Sequence, residues 1–392
     1  MANLRETASR CTHRRVAACT LGLVALIVGT PGCKHPIRAL VGGGMNIGGN
    51  MGVNGDIAMT GEVTTVTRTD NTATPVQPVV VDGNAACGSG RIAIVDVDGL
   101  IVNKSASGLG SMGENPVAVF REKIRRIESD ASISAVVVRI NTPGGGVTAS
   151  DILAHDLARL KSSRGIPVVA CLMTTGCGGG YYLASHADHI VAHSTSVVGG
   201  IGVILNAYNM ELALEQQNII SIPVKAGPKI DTGTPERVME DDERQLLQAM
   251  ANEFHQRFIA QVRQSRAGSL SPSVSLNLES VDAADDDLKQ PDEIFDGRVM
   301  SGDQALAMGL VDATGYLDDA ISIAGQMAGL PDNAAVVLLR RDNDRALSEF
   351  DVTPNAPMQS LVPISFPGID RASMPTFLYL WQPDPKLASQ AG

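Results

Sequence analysis

Three short segments carry the residues whose types and spacing could do chemistry. The first is Arg139-Ile140-Asn141-Thr142-Pro143-Gly144-Gly145-Gly146, an apolar strand that breaks into a Pro-Gly turn. Because Gly144 and Gly145 follow a strand and precede a helix, their N–H groups can converge on a cleft, where fixed donors stabilise a developing oxyanion. The same glycines also suit a tight turn that needs positive φ. The second segment is Thr175-Gly176-Cys177-Gly178-Gly179-Gly180-Tyr181-Tyr182, at the start of a short helix. It holds the thiol of Cys177, and a thiolate at a helix N-terminus can be activated. The third is Lys225-Ala226-Gly227-Pro228-Lys229-Ile230-Asp231-Thr232-Gly233. A lysine acts as a base only where desolvation or positive charge lowers its pKa. The weakly charged flanks of Lys229 allow burial, Asp231 would oppose the shift, and a surface lysine is the plainer alternative.

These segments need a scaffold. Ile92–Val97, Ala135–Ile140 and Pro167–Met173 read as buried strands, with a short one at Ile190–Ala192. Val117–Ile127 and Ala149–Leu160 have helical spacing, Tyr181–Ala187 forms a short helix, and Asp241–Ser265 a long one. The long helix starts on three acids and ends on Arg263 and Arg266, both favourable to its dipole. Strands alternating with helices at this pitch predict an α/β layered domain. Gly297–Asp312 reads as strand, capped helix and Gly stop, and Ala334–Leu339 as a further strand. Phe377–Trp381 is an apolar run suited to an edge strand or an oligomer contact.

Taken together and in this order, the three segments and the Gly297–Asp312 run resemble the signal peptide peptidase A (protease IV) family of Ser-Lys peptidases. That family reads Asn-Ser-Pro-Gly-Gly, then Ala-Ala-Ser-Gly-Gly-Tyr-Tyr, then a lysine in Ser-Gly-x-x-Lys-Asp. The resemblance covers about Arg91–Leu330 and implies a Clp-protease/crotonase-like fold of stacked ββα units in a single main domain. It makes Gly144, Gly145 and Gly179 the oxyanion-hole donors and Lys229 the general base. It also places the nucleophilic serine on Gly178, where this chain has no hydroxyl. Cys177 is one residue off, and a one-residue shift turns a side chain by ~100° on a helix or to the opposite face of a strand. A second family serine, in Thr-Gly-Ser-Ile-Gly-Val, becomes Gly200 in Val198-Gly199-Gly200-Ile201-Gly202-Val203.

The implied function is that of a family homologue with impaired hydrolysis that binds extended apolar peptides such as signal peptides. The alternatives are an active peptidase with a Cys177-Lys229 dyad, or a crotonase-type acyl-thioester enzyme on the same fold. The resemblance also implies a homo-oligomer.

The 392 residues, with 44% hydrophobic and 19% charged side chains, suffice for a sizeable core. A net charge of -11 argues against nucleic-acid binding. His186, His189 and His193 run from a helix end into a strand, which would scatter them, so no metal site and no cofactor is expected. Residues 1–33 read as an export signal, with a basic start and an apolar Val16–Val28 stretch shorter than the ~20 residues of a membrane span. The Gly32-Cys33 junction resembles a bacterial lipobox, making Cys33 a lipidation site; an uncleaved signal anchor is the alternative. Either places the body outside the cytoplasm, in a bacterial cell envelope, tethered to a membrane. Residues 34–90 read as a Gly-rich linker, 91–330 as the folded body and 331–392 as a C-terminal extension.

Overall fold

A computed structural model describes residues 45–47, 51–53, 74–84, 90–104, 114–270, 293–342, 344, 346–353 and 377–381. Cys33 and Cys87, and the reading of residues 1–33, lie outside them. Two short strands near the N-terminus, β1 (Met45–Ile47) and β2 (Met51–Val53), pair antiparallel in a unit of their own, Met1–Arg68. Everything below concerns the second unit, Thr69–Gly392.

Its body repeats a strand–strand–helix rhythm. β3 (Gln77–Asp82) and β4 (Arg91–Asp98) precede helix α1 (Pro116–Ser129); β5 (Ile133–Thr142) and β6 (Gly144–Gly146) precede α2 (Val147–Arg164). β7 (Val168–Cys177) then leads into α3 (Gly179–Ala184), β8 (His189–Ala192) and β9 (Val197–Gly199). Helices α4 (Glu211–Gln216) and α5 (Asp241–Ser265) follow, then β10 (Val299–Ser301), α6 (Gly302–Ala307), β11 (Ala313–Thr314), α7 (Leu317–Met327), β12 (Ala335–Arg340) and β13 (Leu378–Leu380). The main sheet runs β10-β9-β7-β5-β4-β12-β3, with β8 pairing both β7 and β11. Its centre, β12-β4-β5-β7, is parallel throughout.

Continuous apolar runs explain this centre. Ile92–Val95, Ala135–Val138 and Val168–Ala170 are buried on both faces of the sheet, as parallel strands flanked by helices must be. On one face Phe120, Ile124, Leu153 and Leu157 of α1 and α2 close the larger core; on the other, Leu317, Ala320 and Ala324 of α7 cover Ile94 and Val137. α1 starts on Asn115, whose side chain accepts from the Val117 N–H at 3.0 Å, and α2 stops at Gly165 in the left-handed conformation. α6 has a capping box in which Ser301 and Gln304 satisfy one another's backbone N–H groups.

Two expectations are revised and one element is added. The stretch assigned to linker contains β3, which pairs antiparallel with β12, so the sheet extends beyond residues 91–330 at both ends. β3 tolerates Pro78 because it is an edge strand. β7 runs on to Cys177 rather than ending at Met173, because its first half pairs with β8 and Thr175–Cys177 pair with β9. Finally, α7 is a helix that periodicity did not reveal.

Candidate functional site

β7 ends at Cys177 and α3 begins at Gly179, so Gly178 alone makes the corner, with φ 51° and ψ -121°. L-residues rarely adopt that conformation, although a nucleophile on a sharp strand-to-helix turn is held in such strain. The corner is pinned by the Gly178 N–H donating to the Gly199 carbonyl at 2.9 Å and the Tyr182 N–H donating to the Gly178 carbonyl at 2.9 Å. Gly200 adjoins it: a Cβ there would stand 3.2 Å from the Gly178 nitrogen.

Beside the corner lies β6. One edge of it pairs with Ile101, through Ile101 N–H to Gly144 carbonyl (3.0 Å) and Gly146 N–H to Ile101 carbonyl (2.9 Å). The Gly145 N–H and carbonyl therefore face the opposite edge. Gly144, Gly145 and Gly179 lie close together, with Gly179 N 2.8 Å from where a Cβ on Gly144 would sit and Gly145 N 3.5 Å from where one on Gly179 would, but the Gly144 N–H donates to the Thr142 hydroxyl at 3.0 Å.

This opposite edge is occupied by the chain itself. β13 pairs antiparallel with β6, in the register Leu378↔Gly146, Tyr379↔Gly145 and Leu380↔Gly144. The Val147 N–H donates to Phe377 (3.1 Å) and the Trp381 N–H to Pro143 (2.9 Å), while Leu378 exchanges both backbone bonds with Ile204 at 2.9 and 3.0 Å. Phe377–Trp381 is thus an inner strand flanked on both sides. By the antiparallel alternation, Tyr379 and Gly145 form a hydrogen-bonded pair that turns the Tyr379 carbonyl towards the Gly145 N–H.

The peptide after Tyr379 lies directly over the corner. A Cβ on Gly178 would stand 2.6 Å from the Tyr379 carbonyl carbon and 3.0 Å from the Leu380 nitrogen, closer than real Cβ contacts come. Gly178 therefore has two reasons to be glycine, its positive φ and this close approach. The Tyr379 ring is fully buried between Tyr182 and Phe258, with ring centroids 5.3 and 4.8 Å away. Its hydroxyl donates to the Phe254 carbonyl at 2.8 Å, and burial pushes its pKa up. This tail strand was left open by sequence reasoning between an edge strand and an oligomer contact. The only signal was the aromatic–aliphatic composition of the run.

Cys177 does not join the site. Its Sγ faces the Val197 carbonyl at 3.2 Å, fully buried, and burial pushes its pKa up to about 12. It remains a thiol at neutral pH and points away from Gly178, as the one-residue shift requires. Neither it nor Cys171 is in a disulfide.

Lys229 lies in an exposed arm between β9 and α5. Its ammonium contacts Asp242 at 2.7 Å and Glu240 at 2.8 Å, and those carboxylates push its pKa up, opposite to what a general base needs. Asp231 does not face it; that carboxylate is held by Arg237 and Lys225, and its pKa is lowered accordingly. The three histidines diverge: His186 bonds the Tyr182 carbonyl, His189 faces Asp312 and His193 bonds Thr195. Among the described residues no group of His, Cys, Asp or Glu could hold a metal ion, and no helix is long and apolar enough to cross a membrane.

The site is thus a sharp strand-to-helix corner at the end of β7 in a largely parallel α/β sheet, beside a groove that holds an extended strand. Residues 160–331 match peptidase family S49. A putative signal peptide peptidase SppA of Enterococcus faecium is 28% identical over 252 residues, covering 64% of this chain and 67% of that one. Protease 4 of Salmonella typhi is 29% identical over 241 residues, covering 62% of this chain and 35% of that protein. A solved membrane-bound stomatin-specific protease, captured as a mutant with a substrate peptide, aligns with a TM-score of 0.37 at 14% identity, over 64% of this chain and 92% of that one. The chain is similar to the signal peptide peptidase A proteins, carries a peptidase family S49 match, and folds as a mixed α/β protein around one large sheet.

Proposed function

We propose that this chain is a peptide-binding homologue of the signal peptide peptidases in which Ser-Lys hydrolysis is lost. The observation that carries this reading is Gly178: the strained corner is kept, buried and bordered by the Gly144–Gly146 edge, but it bears no side chain. Hydrolysis by a serine peptidase needs an attacking oxygen and a base that takes its proton. The first is missing at Gly178, and the second, Lys229, is held as an ammonium by Asp242 and Glu240. What remains is the β6 edge, paired here with Phe377–Trp381, which adds an extended peptide as a strand when that tail strand is displaced, with backbone N–H and carbonyl groups giving affinity and side-chain pockets giving selectivity. Gly145 and Gly179, as oxyanion-hole donors by resemblance, then serve as carbonyl-binding groups.

In this reading the ligands are extended apolar peptides such as signal peptides. The N-terminal segment tethers the body outside the cytoplasm through a lipid on Cys33, and copies of the chain associate. A Cys177-Lys229 peptidase is disfavoured by the burial and direction of the thiol. The test is to incubate the full chain with casein and with a labelled signal peptide, with and without iodoacetamide. No cleavage and saturable peptide binding are expected; thiol-sensitive cleavage abolished by Cys177→Ala would overturn the reading. Membrane fractionation and mass of Cys33→Ser test the tether, which stands only if that variant is released or left unprocessed.

A further inference from the structure

The groove already has an occupant, and the occupant's side chain says what the groove selects. We infer that Phe377–Trp381 is the resident ligand of this site in cis, and that the site takes extended peptides carrying an aromatic residue over Gly178, with tyrosine preferred. This rests on the peptide-binding reading above and narrows it.

Three independent observations support it. First, the strand is bonded along both edges, to Pro143 and Val147 on one side and to Ile204 on the other, as an added strand would be. Second, the position over the corner is shaped for an aromatic side chain: Tyr379 is wholly buried against Tyr182 and Phe258, and Phe377 meets Phe254 edge-on at 5.1 Å. The Phe254 carbonyl, inside helix α5, accepts an additional bond from the phenol, a bond that a tyrosine makes and a leucine cannot. Third, the seat and the missing side chain are the same feature. Any Cβ at position 178 would collide with the Tyr379–Leu380 peptide backbone, so the close seating of this strand requires glycine there. Loss of a nucleophile and gain of a tightly held internal strand are one structural change.

The experiment uses the full chain and a capped pentapeptide of sequence Phe-Leu-Tyr-Leu-Trp, with its Tyr-to-Ala analogue as control. The variant Leu378→Pro with Trp381→Pro removes two N–H donors of the strand and leaves every residue of the groove wall in place. Circular dichroism and the thermal transition establish that it folds. The double variant should bind the pentapeptide at least 10-fold more tightly than the unaltered chain does, and the Ala analogue at least 10-fold more weakly than the tyrosine peptide.

Equal binding by unaltered chain and variant overturns the resident-strand inference while leaving the peptide-binding reading intact. Equal binding of the two peptides overturns the aromatic preference. Absence of binding to the opened variant takes the peptide-binding reading down as well. Hydrogen exchange on the unaltered chain gives a readout that needs no variant. The Leu378 and Trp381 amides should be protected at every protein concentration and lose protection when excess pentapeptide is added, while Val147 stays protected. Protection lost on dilution would place the strand of a second copy in the groove and overturn the assignment in cis.

Discussion

The corner at Gly178 and the arm around Lys229 sit in opposite physical environments. Around Gly178 every neighbour is buried and the geometry is fixed by backbone bonds and close approach: Cys177, Gly178, Gly179, Tyr181 and Tyr379 are all inaccessible. Around Lys229 the chain is open to water. Val224, Ile222 and Ile220 are 101%, 82% and 78% exposed, and order comes from ion pairs linking Lys225, Asp231, Arg237, Glu243, Lys229 and Asp242. A site defined by packing and backbone bonds keeps its shape with no side chain at its corner. At Lys229 the bonds to Asp242 and Glu240 outweigh the little desolvation there is, so its pKa is raised.

The sharpest way to break this contrast is a matched pair of glycine substitutions. Gly178 and Gly227 both have positive φ, but a Cβ at Gly178 meets backbone at 2.6 Å and one at Gly227 meets nothing within 4 Å. Gly178→Ala should cost about 2–5 kcal/mol by denaturant unfolding, from backbone strain plus overpacking. Gly227→Ala should cost only about 1–2 kcal/mol, the strain alone. Equal losses at the two sites would mean that the tail strand does not press on the corner.

Coupling between corner and tail gives the next largest effect. In a double-mutant cycle of Gly178→Ser with Tyr379→Ala, the serine should be less destabilising once the tail anchor is gone, by about 0.5–3 kcal/mol. The serine alone should yield no peptidase activity, since the Tyr379 backbone fills the space the hydroxyl needs. Additive stabilities, or brisk casein cleavage by Gly178→Ser, would refute the arrangement.

Titration separates the two regions more finely. Cys171 and Cys177 both have thiol pKa values pushed up to about 12 by burial, while in the unfolded chain they ionise near 8.5. The unfolded state then binds fewer protons above that point, so stability is complete below about pH 8.5 and declines as pH rises towards 12. Each thiol contributes at most about 1.4 kcal/mol per pH unit, and Cys171→Ala with Cys177→Ala should flatten that decline. The smallest effect belongs to the arm: Lys229→Ala should leave the unfolding midpoint and peptide binding unmoved, because exposed pairs are screened by solvent. A clear loss of peptide affinity in Lys229→Ala would return that lysine to the site.

Much of the scaffold was legible because it is made of local signals. The all-apolar runs at 92–95 and 135–138 could only be buried strands, and the helix Asp241–Ser265 was bounded by its own charges. The glycines at 144, 145, 178 and 179 stood out by composition, and they do come together. What the sequence hid were partnerships across long separations. Nothing local to Phe377–Trp381 specifies Gly144–Gly146 as its neighbour. β3 was masked by its setting in a Gly- and Asn-rich stretch, although its own Pro78–Val81 run suits an edge. The arm misled in the other direction: the apolar flank Gly227-Pro228 and Ile230 suggested burial of Lys229, and Ile230 is 73% exposed.

The tail strand also sets an order of events during synthesis. The two edges that hold it, Gly144–Gly146 and Ile204, emerge from the ribosome long before Tyr379 does. At ~5–20 residues per second, the nascent chain carries a bare slot between two β-edges for on the order of ten seconds or more. Unpaired edges recruit whatever extended segment is nearest, including the tail of a neighbouring nascent chain, so polysome spacing and synthesis rate bear on whether each molecule closes on itself or exchanges tails with its neighbour.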